Sequence, residues 1–70
     1  MTDRHEHTQD TPALVWEVRH NLFTRAPVVD TWIVINGQLQ KIQPKAVKVI
    51  DQNECHIEWS IPRAGKAGVV

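Results

Sequence analysis

The stretch "AVKVIDQNECHIEWSI", residues 46–61, decides how this chain folds. Its second half alternates without a fault, with Cys55, Ile57, Trp59 and Ile61 on one side of an extended chain and Glu54, His56, Glu58 and Ser60 on the other. Successive side chains of a strand point to opposite faces, so this is the pattern of a half-buried β-strand. The preceding "AVKVI" follows Pro44 and has the form of a short helix start, but Val47, Val49 and Ile50 are stiff in helices, and a strand is the better reading.

Alternation makes the pairing of these two strands testable. A two-residue loop at Gln52-Asn53 mixes polar and apolar groups on both faces. A three-residue loop, Asp51-Gln52-Asn53 with Asn53 left-handed, sets Val49 against Cys55 and Val47 against Ile57. It also sets Lys48 opposite His56 between Glu54 and Glu58, which makes the charged face a solvated cluster of mixed sign.

Working outward, the strongest turn signal is "INGQ". Asn36-Gly37 supplies the two positive-φ positions of a type I′ turn, pairing Ile35 with Gln38, Val34 with Leu39, Trp32 with Lys41 and Thr31 with Ile42. Pro44 closes the third strand. The second strand, "VVDTWIVI", is apolar on both faces, as a central strand would be. The first, "LVWEVRH", puts Leu14, Trp16, Val18 and His20 on one face and Val15, Glu17 and Arg19 on the other.

These segments predict an all-β, mainly antiparallel domain of five meander-connected strands over residues 13–62, a small barrel or bent sheet, SH3-like in size. Residues 1–12 and 63–70 read as polar, flexible tails, because neither carries the apolar area that offsets ordering entropy. A chain of 70 residues buries only ~60% of the surface its unfolded form exposes, and the single cysteine, Cys55, has no partner for an internal disulfide. Self-association, with a two-fold dimer favoured, is the expected source of extra stability.

Function is less legible. Eight basic residues cancel eight acidic ones, which argues against a surface built wholly for polyanions. The first 35 residues carry three arginines against five carboxylates, and the remainder five cations against three carboxylates. Catalysis finds no support in one monomer: Cys55 and His56 are adjacent in a strand and so face opposite ways, and no phosphate loop or paired carboxylates occur. No catalytic residue, metal ligand set or cofactor is expected; "HEH" at residues 5–7 is a weak chelator, and no Cys or His pair has structural-zinc spacing.

The leading expectation is a non-enzymatic protein-binding or adaptor module, using the loop residues Leu22, Phe23 and Arg25 or a free edge strand. The alternative is nucleic-acid binding through Trp32, Lys41, Lys45 and Lys48, where a cation beside an aromatic ring suits a base and its phosphate. Third is an oligomeric enzyme whose site is shared across a symmetry axis. Three tryptophans each precede an aliphatic residue by two positions, the mark of a shared aromatic core layer, and Trp32 is the one best placed to stand outside it. Phe23 has an equally plain structural role open to it, as a plug for one end of the barrel. The longest apolar run is four residues and no signal-like segment opens the sequence, so a cytoplasmic location without membrane insertion is expected.

Overall fold

A computed structural model describes residues 4–70 of the chain. Five strands form one antiparallel sheet that bends strongly and does not close into a barrel: β1 (His5–Arg19), β2 (Val29–Ile35), β3 (Gln38–Lys41), β4 (Ala46–Asp51) and β5 (Glu54–Val69). Among the described residues no helix is long and apolar enough to cross a membrane.

The arrangement is not a meander. β5 is a spine, with β1 along one edge for its whole length and two shorter strands sharing the other edge. The first half of β5 pairs with β4, and the second half with β2, which carries β3 at its outer edge. The two halves fold toward each other across a bend. Pro12 of β1 and Pro62 of β5 both lie within the irregular stretch, where the β1–β5 register shifts on either side of Ala13. Proline has no N–H for a ladder, so it is accommodated at such irregularities.

The two predicted tails are therefore corrected. Residues 5–9 pair with 65–69, and 65–69 pair in turn with 29–33, so both segments are strand; residues 1–3 lie outside the described part. They lacked the look of strands because their inward side chains are small or polar: Gly65, Ala67 and Val69 on β5, and His5, His7 and Gln9 beside them on β1. Close packing is the reason. A Cβ on Gly65 would lie 2.8 Å from the Ile33 Cα, so only glycine lets β2 approach there.

The core lines the inside of the bend. Trp16 and Val18 of β1, Ile33 of β2, and Cys55, Ile57, Trp59, Ala67 and Val69 of β5 are buried together. The rings of Trp16 and Trp59 meet at 5.0 Å and 53°, and the Trp16 indole Nε1 donates to the Arg63 carbonyl at 2.9 Å, tying the core to the bend. Trp32 is not in this layer; it faces the outside of the sheet.

The hairpins follow the pattern. β2 and β3 pair as the Asn36-Gly37 turn requires, with φ of 52° and 78° at its two residues. β4 is a strand, with Val49 opposite Cys55, Val47 opposite Ile57 and Lys48 opposite His56. The turn differs from the expected one. Asp51 pairs with Glu54, Ile50 is an extra residue in a bulge, and the Asn53 amide donates to the Asp51 carboxylate at 2.7 Å. Asn53 is not left-handed; the bulge restores the same register by another route.

Candidate binding surfaces

The outer face of the sheet's second half carries the clearest groove, of ≈ 350 Å³. Trp32 and Leu39 form one side, Gly68 and Ala67 the floor, and Arg4, Glu6 and Lys66 the other side. Register explains the grouping, since Trp32 faces Lys66 across β2–β5 and Lys41 across β2–β3. The Lys41 ammonium stands 5.9 Å from the Trp32 ring centre. Both lysines also meet acids, Lys41 with Asp30 at 3.3 Å and Lys66 with Glu6 at 3.4 Å, and each pairing offsets charge the groove could offer to an anion.

Of the four residues of the nucleic-acid reading, Trp32 and Lys41 come together and the others do not. Lys48 sits on the other half of the sheet in an ion pair with Glu58 at 3.1 Å. Lys45 lies at the bend, beside Arg63 and Trp59. Lys48 belongs instead to the charged face of the β4–β5 hairpin, where Glu54 bonds His56 at 2.8 Å and meets Arg19 at 3.4 Å. Exposed pairs of this kind contribute a few tenths of a kcal/mol each.

A second surface surrounds β4. This strand bonds only β5, and Val47, Val49 and Ile50 are exposed along it. The loop after β1 is pinned to the hairpin tip at the end of β4. Thr24 N–H donates to the Gln52 carbonyl at 2.7 Å and Phe23 N–H to the Asn53 side-chain oxygen at 3.2 Å. Leu22 packs against the core, Arg25 is exposed, and Phe23 is 71% exposed rather than plugging the end of the sheet. Phe23 also has φ 53°, a left-handed conformation that is costly for a bulky side chain.

Two titratable groups are buried inside the bend. His20 accepts the Leu22 N–H at Nδ1, 3.0 Å, so its proton is on Nε2, which has no partner among the described residues. Burial, with His5 nearby, holds its pKa below the usual histidine value, and Asp51 opposes this only in part. Burial and the Glu54 charge push the Cys55 thiol up, away from the reactive thiolate. Cys55 pairs with Val18 and Val49 in the sheet, while His56 points to the charged face. Among the described residues no three His, Cys, Asp or Glu side chains gather as a metal site.

Sequence reading missed Arg4, Lys66, Gly68 and Arg63, since all lie in the segments taken for tails. Their only sequence signal is the spacing of small residues in "AGKAG", which marks a strand approached closely by its neighbours. No protein-family model, no curated protein and no solved structure matches this chain.

Proposed function

We propose that the chain is a non-enzymatic binding module that takes an extended segment along the open edge of β4, with a second copy of itself as the first such partner. One observation carries this reading: Phe23 is held out in solvent, in a strained backbone, at the end of an apolar strand paired on one edge only. A strand with free N–H and C=O groups and exposed valines is a template for another strand. Copies related by a two-fold axis at Val49 put Val49 opposite its own copy and keep the two Lys48 ammonium groups from facing each other.

The test is sedimentation of the native chain beside Phe23→Asp and Ile50→Lys. Association that rises with concentration, and is lost in both variants at unchanged thermal stability, is the expected result. A native chain that stays monomeric at tens of micromolar removes self-association, and variants that unfold return Phe23 and Ile50 to the core.

A second reading rests on the Trp32 groove. An indole beside Lys41, with Arg4 and Lys66 across the floor, suits a stacked base of single-stranded nucleic acid. Oligonucleotide quenching of Trp32 fluorescence that weakens steeply with salt supports it, and absence of quenching at low salt ends it.

A further inference from the structure

The bend of the sheet holds a smaller pocket of ≈ 240 Å³, distinct from both surfaces described above. Lys45, from the connection before β4, and Arg63, from the irregular part of β5, both line it. Neither side chain forms an ion pair among the described residues, and no carboxylate lines the pocket. The other grooves differ in this respect, since Glu6 stands in the Trp32 groove, Asp30 beside Lys41, and Asp10 beside Lys66. In a chain with zero formal net charge, a concavity lined by two cations and no acid is a local excess that invites an anion.

The pocket wall supplies a reporter of what enters it. Trp59 is 6% exposed, and its indole Nε1–H has no hydrogen-bond partner among the described residues. A buried donor left unpaired costs about 1–3 kcal/mol, which is why nearly all such groups have an acceptor. Trp16, packed on Trp59, meets the rule by donating to the Arg63 carbonyl. Trp59 has no acceptor of that kind; its ring lines the same pocket as the two cations, while its Nε1 is sealed from solvent behind the wall.

We propose that this pocket binds a phosphate monoester group, with Lys45 and Arg63 as counter-charges and the Trp59 ring as part of the wall beside them. Charge selects among the oxyanions. A monoester carries about −1.5 to −2 at neutral pH and balances two cations, whereas a carboxylate neutralises only one. Ser60 adds a hydroxyl at the rim, and Ile42, Pro44 and Ile61 supply an apolar wall for the organic part of the ester. The site is independent of partner binding at β4.

The experiment follows the three indole N–H resonances of the 15N-labelled full chain, assigned with Trp59→Phe, during titration with inorganic phosphate and then phenyl phosphate. Chloride and acetate at matched ionic strength are the controls. The expected result is a saturable shift of the Trp59 signal with phosphate, tighter with phenyl phosphate, and weakened about tenfold or more in Lys45→Gln and in Arg63→Gln but not in Lys48→Gln. Near-ultraviolet circular dichroism confirms that each variant is folded. A shift reproduced by chloride, a response to acetate as strong as that to phosphate, or saturation unchanged in both pocket variants overturns the proposal.

Discussion

The two halves of β5 do the same structural job with opposite materials. Residues 54–58 lie between β1 and β4, and residues 65–69 lie between β1 and β2, so each half is central in its part of the sheet. The first half fills the bend with Cys55, Ile57 and Trp59; the second presents Gly65, Ala67 and Val69 to them. Large side chains on one layer require small ones on the layer facing it, because an interior packs to constant density. A buried strand is therefore recognisable by apolar bulk only where it is the layer that supplies the bulk.

The sharpest way to break this comparison is to add volume to the small half. Gly65→Ala places a methyl against the backbone of β2, on the Trp32 carbonyl oxygen and 2.8 Å from the Ile33 Cα, so the backbones of β5 and β2 would have to separate. A loss of more than about 4 kcal/mol is expected, enough to unfold a domain of this size, measured by urea denaturation. Removing volume from the large half comes next. Ile57 is fully buried, and Ile57→Ala should cost about 3 kcal/mol by the same measurement.

Acidification probes the seam between the halves, where His20 at the end of β1 feels His5 from its beginning. Its folded pKa lies below the unfolded value, so the unfolded chain takes up the proton first. Stability from this group is complete above pH ~6.5 and falls as pH drops through and below that value, levelling off beneath the folded pKa. Urea midpoints across this range should show the decline, and His20→Gln should flatten it; a midpoint that rises on acidification contradicts the buried neutral imidazole.

The smallest effect is expected at the other glycine of the spine. A Cβ on Gly68 meets only the guanidinium end of Arg4, at 3.0 Å, and a flexible side chain can yield. Gly68→Ala should change stability by less than about 0.5 kcal/mol. If it proves as damaging as Gly65→Ala, the small half is intolerant for a reason other than the approach of β2.

The candidate surfaces divide along the same line. Trp32 and Lys41 were legible as neighbours because a type I′ turn fixes register over a few residues, and the register sets both side chains on one face. Phe23 was legible as a loop residue, but its exposure depends on the hydrogen bonds that Gln52 and Asn53 make to the loop. In the pocket of Lys45, Arg63 and Trp59, the β4–β5 register already brings Lys45 beside Trp59, but Arg63 was not legible. Arg63 lies 18 positions from Lys45 in sequence and joins the other two only because β5 bends after Trp59.

By itself the sequence determined the all-β class, both hairpin registers, the inward faces of Trp16, Val18, Cys55 and Ile57, and the outward charged face of the β4–β5 hairpin. These follow from alternation and turn chemistry, which act between near neighbours. Only the tertiary structure decided that the ends of the chain are strands and that β5 rather than a meander organises the sheet. Those outcomes depend on pairing between residues 5–9, 29–33 and 65–69, whose small and polar side chains carry no apolar signal until they lie beside one another.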